Sequence, residues 1–504
     1  MKTKIKQEFI TNIKYIYVSF LIVFLTILPE LLMSHTIKHV IGILLLAILL
    51  IFTAKFSKIL FSVFTIYINI VNIIHANVYL HWGGESSLNS RFEIMVRSPL
   101  SESIEYLHSF VDYRDYIIMS YTILIFILLY NFILKHQHNF NFLKKISIIS
   151  SLILLSILIT KEPLSTIKNY IRIRNEFLNN NIIIKQRNQY LKNISLKKDY
   201  NITVKYNKII VIQGESVNKN YMNNITSPFL FSLINNKKTY QFNVIAPANQ
   251  TRYAVPMIFT TANVNNWKYN FIHSESIVTD FKNINYKTYW ISNQGHIGKH
   301  DDWITNIANE ANVKIFFNSG DYSEAKSDDV INHYLDKLKT DNDNEMYVFH
   351  LIGSHFQYTS RYTNQHLLYK NPKKIIQEYK NTIYFTDYVI KNIFKHFKNN
   401  GNILIVYLSD HGEVVNNSKH GHGFLPTYKD EYEIPLVIYS NIKNDRIKEL
   451  YTQNKKHYFN TENMNSIIKY ISFLSDDVNI STSSQIFSLN PKNKFNFDKL
   501  ESYK

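Results

Sequence analysis

NILIVYLSDHGE, residues Asn402 to Glu413, decides the fold class of this 504-residue chain. Ile403–Leu408 is apolar, rich in branched residues and too short for a convincing helix, so it reads as a strand buried on both faces of an α/β sheet. The cluster Ser409-Asp410-His411-Gly412-Glu413 falls just past the strand's carboxyl end, where open α/β sheets place their ligand crevices. Adjacent Asp and His offer an oxygen and a nitrogen suited to Zn²⁺, which makes Asp410 and His411 the first metal candidates. A strand-ending turn with a surface histidine has the same local pattern, so residues elsewhere must decide.

Those residues come in a series. From Asn207 onward, the apolar runs Ile209–Ile212, Phe242–Ile245, Thr288–Ile291, Tyr347–Ile352 and Pro435–Tyr439 join Ile403–Leu408 in alternating with helical stretches. That alternation predicts a largely parallel sheet with helices on both faces. Three further polar clusters follow strands: Gln213-Gly214-Glu215-Ser216, Asn249-Gln250-Thr251-Arg252-Tyr253 and Gly353-Ser354-His355; beyond Glu413 comes His420-Gly421-His422-Gly423. Converging on one sheet edge, they make a metal-hydroxyl site. Glu215, Asp410 and His411 supply three ligands to Zn²⁺ and leave a fourth position for the Thr251 hydroxyl. A threonine hydroxyl is protonated and weakly nucleophilic at neutral pH, and a metal ion corrects that. His355 and His422 are candidates to hold the transferring phosphoryl oxygens or a second metal, and to protonate the leaving group.

Composition sets the outer bounds. The chain is 46% hydrophobic, with Lys+Arg 56 against Asp+Glu 39, a formal net charge of +17 and no cysteine. Disulfides, thiolate metal sites and a cysteine nucleophile are thereby excluded. The basic residues are scattered, which argues against nucleic acid and favours anionic lipid or phosphorylated glycolipid.

Five apolar runs occupy the first 160 residues: Tyr15–Leu32, Ile37–Phe52, Ile59–Tyr79, Tyr116–Leu134 and Ile146–Thr160. They predict a transmembrane domain of five helices over residues 1–161, with a loop at about 81–115. Lys2, Lys4, Lys6, Lys55, Lys58, Lys135, Lys144 and Lys145 fall on one side of that arrangement, the cytoplasmic one, so the loop and everything after Thr160 face outward. Residues 162–200 read as an interfacial linker helix and 201–504 as the catalytic domain.

The motifs VIQGES, TRYAVPMIF, YWISNQG, HLIGSHFQYTSRY, LSDHGE and GHGFLPTYKDEYEIPLVIYS resemble those of the membrane-bound phosphoethanolamine transferases, within the alkaline phosphatase and sulfatase-like superfamily. Five spans followed by one outward domain is also that family's layout. The resemblance implies a bacterial inner-membrane enzyme with its catalytic domain in the periplasm. It implies transfer of phosphoethanolamine from phosphatidylethanolamine, through a phospho-threonine on Thr251, to lipopolysaccharide (lipid A or a core sugar) or a related glycan. Glu215, Thr251, Asp410 and His411 look like the family's zinc set, with one zinc ion or two. His355 and His422 look like its headgroup or second-metal histidines, with His420 an alternative to His422. Asn293 and Lys299 fall near the family's ethanolamine contacts, and Glu102 and Glu105 resemble its acidic pair in the outward loop. The sequence departs from the lipid A branch at Phe356-Gln357 and in lacking disulfides, which leaves the acceptor open. A phosphoglycerol transferase or a hydrolase would use the same site; a non-catalytic membrane sensor has no reason to keep these residues.

Overall fold

The computed structural model describes residues 66, 113–135, 181–194 and 204–503, the last apart from 237, 296–301, 319–326, 341–343, 418, 479, 481–482 and 490. Two compact units divide the chain, one of residues 1–96 and 106–176, the other of residues 97–105 and 177–504. In the first, the fourth apolar run lies within α1, Tyr113–Lys135, a helix of 23 residues that exposes Tyr116, Ile117, Ile123, Leu124 and Ile127. Counting only residues whose side chains are described, no helix is long and apolar enough to cross a membrane. The other four runs, residue 66 excepted, lie outside the described residues, as do Glu102, Glu105 and Lys299.

In the second unit the expected alternation appears as an eight-stranded sheet. Its strands are β1 (Lys208–Gly214), β2 (Thr239–Ile245), β3 (Lys287–Ser292), β4 (Val313–Phe316), β5 (Glu345–His350), β6 (Ile403–Ser409), β9 (Glu433–Ser440) and β10 (Phe459–Asn460). The two-residue strands β7 (Val414–Val415) and β8 (His420–Gly421) form a separate hairpin. The order across the sheet is β10-β2-β9-β6-β1-β5-β3-β4. Only β9 is antiparallel to its neighbours β2 and β6, so the other seven strands point one way and share a carboxyl edge.

Burial explains why these segments are strands. Every residue of β1, β5 and β6 is buried, as expected where helices cover both faces. Alternate side chains go to opposite cores: Ile209 and Val211 of β1 to one, Ile210 and Ile212 to the other. Each fully buried branched side chain contributes roughly 1.5–3 kcal/mol relative to exposure. The first core is covered by α2 (181–194) and by α4 (Thr251–Phe259), which follows the short α3 (Pro228–Ile234) in the chain. Also on this side, α5 (Asp302–Ala308) inserts Trp303, Ile304 and Ile307. Along α6 (Ile375–Phe397), Tyr379, Ile383, Ile390, Ile393 and Phe397 line one stripe, which closes the second core. Helix α2, which falls within the expected linker, is tied to the rest of the second unit by Arg187, fully buried, which pairs with Glu310 at 2.8 Å and donates to the Phe271 and Ser274 carbonyls.

Candidate metal and nucleophile site

Topology alone brings the polar clusters together. Glu215 follows β1, Thr251 begins the helix after β2, His355 follows β5, and Asp410 and His411 follow β6, all on the shared carboxyl edge. β1 and β6 are paired in register up to Gly214 and Ser409, which sets Glu215 beside Asp410. The turns are locked: Ser216 takes a left-handed φ of 58°, and its N–H donates to Asp410 Oδ1 at 3.1 Å. The Val217 N–H donates to Ser409 Oγ at 2.9 Å. Gly412 admits no side chain, because a Cβ there would collide with the Asp430 carbonyl.

At the centre, the Thr251 hydroxyl lies 3.2 and 3.1 Å from the two Glu215 oxygens and 3.2 Å from His411 Nε2. His411 Nε2 is also 3.2 Å from Glu215 and 3.4 Å from Asp410. Glu215, Asp410 and His411 are wholly buried, while Thr251 is half-buried and accessible to a reactant. His411 Nδ1 donates to the Gly412 carbonyl at 2.9 Å, which leaves Nε2 as the nitrogen for a ligand role. Asp410 Oδ1 accepts two backbone N–H groups, whereas its buried Oδ2 has no hydrogen-bond partner among the described residues.

This donor set fits a divalent cation. Two buried carboxylates, one imidazole nitrogen aimed at them and an orphaned carboxylate oxygen form a cluster whose ligand atoms lie within 4.8 Å of one another. Without a metal the demand for positive charge falls on a proton. Burial disfavours charge on His411, but Asp410 and Glu215 outweigh it and raise the imidazole to about 10. Burial, with Glu215 beside it, pushes Asp410 up to about 6.

The remaining histidines sit next to this centre. The His422 ring lies 4.1 Å from His411 between centroids, and His355 lies 5.9 Å from His422. Burial, reinforced by the positive charges of Arg361 and His422, lowers His355 to about 3 and keeps it neutral. His420, the alternative to His422, packs its ring against Phe356 at 5.1 Å. The Asn293 amide donates to Asp328 Oδ1 at 3.0 Å, and Asp328 in turn accepts the Ile352 and Gly353 N–H groups.

Two residues not singled out from the sequence occupy informative places. Gln294, next to Asn293, donates to Glu215 Oε2 at 3.1 Å and to the Leu351 carbonyl at 3.0 Å, so it fixes a metal-ligand candidate to the end of β5. Glu413, buried and raised by that burial to about 7, accepts from Tyr358 at 2.7 Å and contacts His422 Nδ1 at 2.8 Å. The quoted motifs contain both, but adjacency in sequence does not say which of two neighbouring side chains turns inward.

The sulfatase family description matches residues 207–470, just over half of the chain. The chain belongs to the sulfatase family. Within that family, it is 24% identical over 280 residues to the phosphoethanolamine transferase OpgE of Escherichia coli K12, covering 52% of each. The chain spans about half the length of the curated relatives it matches. Its fold is similar to the C-terminal periplasmic domain of EcEptC from Escherichia coli in complex with Zn, with TM-score 0.51 and 20% identity over 60% of this chain and 95% of that one. It is also similar to the integral membrane protein lipooligosaccharide phosphoethanolamine transferase A of Neisseria meningitidis, with TM-score 0.55 and 14% identity over 93% of this chain and 96% of that one.

Proposed function

We propose that this sulfatase-family protein is a zinc-dependent phosphoethanolamine transferase of the bacterial inner membrane, with five spans over residues 1–161, a linker over 162–200 and a periplasmic catalytic domain over 201–504. The observation that carries the reading is the Thr251 hydroxyl, held within 3.2 Å of both Glu215 and His411 at the accessible start of a helix. The similarity to phosphoethanolamine transferases and the helical state of the fourth apolar run support it.

Glu215, Asp410 and His411 are the residues that would hold a zinc ion, next to the Thr251 hydroxyl. When bound, zinc supplies a Lewis acid that makes the hydroxyl ionisable at neutral pH and offsets charge on the phosphoryl oxygens. Thr251 Oγ attacks the phosphorus of phosphatidylethanolamine; a new P–O bond forms, the bond to the diacylglycerol oxygen breaks, and that oxygen takes up a proton. Gln294 keeps Glu215 in place throughout. His422, oriented by Glu413, is placed to pass that proton to the leaving oxygen and to take one from the acceptor hydroxyl in the second transfer. That second attack frees Thr251 and leaves phosphoethanolamine on lipid A, a core sugar or a related glycan.

The test is the mass of the peptide carrying Thr251 after the zinc-loaded protein has met phosphatidylethanolamine without acceptor. A phosphoethanolamine adduct on Thr251, absent in Thr251→Ala, is the expected result. An unmodified peptide from folded, zinc-loaded protein overturns the assignment, and an adduct formed only from phosphatidylglycerol replaces the donor.

A further inference from the structure

Among the buried arginines, Arg252 stands apart. Arg187 pairs with Glu310, and Arg361 donates to the carbonyls of His355 and Phe356 at 3.0 and 3.1 Å. Arg252 is 8% exposed, yet it has no ion pair or hydrogen bond from its side chain among the described residues. Its Nε is sealed from solvent without a partner. Its guanidinium carbon instead lies 4.8 Å from the Tyr253 ring centroid and 5.1 Å from that of Trp303, on α5.

Such a placement is costly in three ways. An arginine in the first turn of a nine-residue helix opposes the helix dipole. Burial strips water from the charge, and no carboxylate among the described residues answers it. Aromatic faces offset only part of that cost, ~0.5–2 kcal/mol per contact. Contact with two ring faces does, however, restrict the guanidinium, the pre-organisation that suits an oxyanion. The residue is also adjacent in the chain to Thr251, where a phosphorus must arrive.

We propose that Arg252 is the guanidinium of a phosphate-binding subsite beside Thr251, which takes a phosphate monoester or diester carried by a substrate. The identity of that substrate rests on the transferase reading; the anion site itself does not. The phosphate comes either from the donor headgroup or from a phosphorylated acceptor.

The experiment uses the full chain in detergent, zinc-loaded, as wild type, Arg252→Gln and Arg252→Lys, with inorganic phosphate as probe in calorimetric titrations. The expected result is a phosphate Kd raised about 10- to 100-fold in Arg252→Gln, the scale of a lost charge-assisted bond, and by less in Arg252→Lys. Arg252→Gln should melt no lower than wild type, since it removes an unanswered buried charge. Equal phosphate affinity in all three proteins overturns the proposal. So does a large loss of melting temperature in Arg252→Gln together with unchanged affinity in Arg252→Lys, which would assign the side chain to packing.

Two arms then separate the sources. If the donor supplies the phosphate, labelling of Thr251 by phosphatidylethanolamine alone shifts to about tenfold or more higher lipid concentration in Arg252→Gln. If the acceptor supplies it, labelling is unchanged and the KM rises for a phosphorylated acceptor but not for its dephosphorylated form. Loss of inorganic phosphate binding with neither arm affected overturns the substrate role. If wild type forms no adduct while phosphate still distinguishes it from Arg252→Gln, the transferase reading falls and the subsite stands.

Discussion

The two ends of β1 both bury charge, and they treat it in opposite ways. At the amino end Lys208 and Glu345, register partners on β1 and β5, form a 2.6 Å ion pair at 1% and 0% exposure. The Tyr289 and Tyr347 hydroxyls complete the hydrogen bonding of Glu345 at 3.2 and 2.7 Å. At the carboxyl end, Glu215 and Asp410 are equally buried but share one histidine, and Asp410 Oδ2, 3.4 Å from that ring, accepts no hydrogen bond among the described residues. A balanced cluster is architecture, and an unbalanced one has the donor set that suits a cation.

That contrast is breakable. Lys208→Met leaves Glu345 buried without its cation and should cost about 3–5 kcal/mol in denaturant unfolding, with Thr251 labelling unchanged per folded molecule. Asp410→Asn in metal-free protein should be neutral or stabilising in the same assay, because it relieves carboxylate repulsion. Similar losses in the two variants would erase the distinction.

Asp387 sharpens it, as a buried carboxylate answered by amides: it accepts the Phe229 and Leu230 N–H groups at 2.8 and 2.9 Å, at the start of α3. Burial still pushes it up to about 6, so the folded domain holds this proton more tightly than the unfolded chain does. Its contribution is therefore full below about pH 4 and is lost as pH rises through about 6, a swing of up to ~3 kcal/mol. Asp387→Asn should flatten the stability profile across that window; an unchanged slope would assign it elsewhere. A smaller loss than that of Lys208→Met is expected from Gln294→Ala, which frees Glu215 from its tether without removing a proposed ligand. Zinc affinity, read by chelator competition, should fall about 10- to 100-fold with the melting of the metal-free protein little altered. Unaltered zinc affinity would make Gln294 a spacer.

The sheet was legible where runs were long and branched: β1, β3, β5, β6 and β9 lie within two residues of their expected apolar runs, and β2 ends with its run but begins three residues earlier. β4 and β10 were not. β4 is only four residues, VKIF, at the sheet's edge with Lys314 exposed, and two-residue β10 is too short for any period to show. Site placement was legible because residues at strand ends inherit their position from topology. Side-chain direction was not. Asn293 and Gln294 look interchangeable in sequence, yet one braces the turn after β5 through Asp328 and the other reaches Glu215, a difference fixed by the local turn. Arg252 was passed over for a related reason, since a sequence cannot show that a basic residue lacks a partner.

The position of β6, between β1 and β9, has a consequence for how the protein is made. Its residues are synthesised almost 200 positions after those of β1, so until they emerge β1 presents an unpaired edge with Ile209, Ile210, Val211 and Ile212 uncovered on that side. Closing so long a loop is slow, and half-made chains are open to strand addition by their neighbours. The proposed ligand set is split along the same seam, with Glu215 early and Asp410 and His411 late. On that assignment metal capture reports completed insertion of the central strand, and a chain stalled before β6 lacks two of the three ligands.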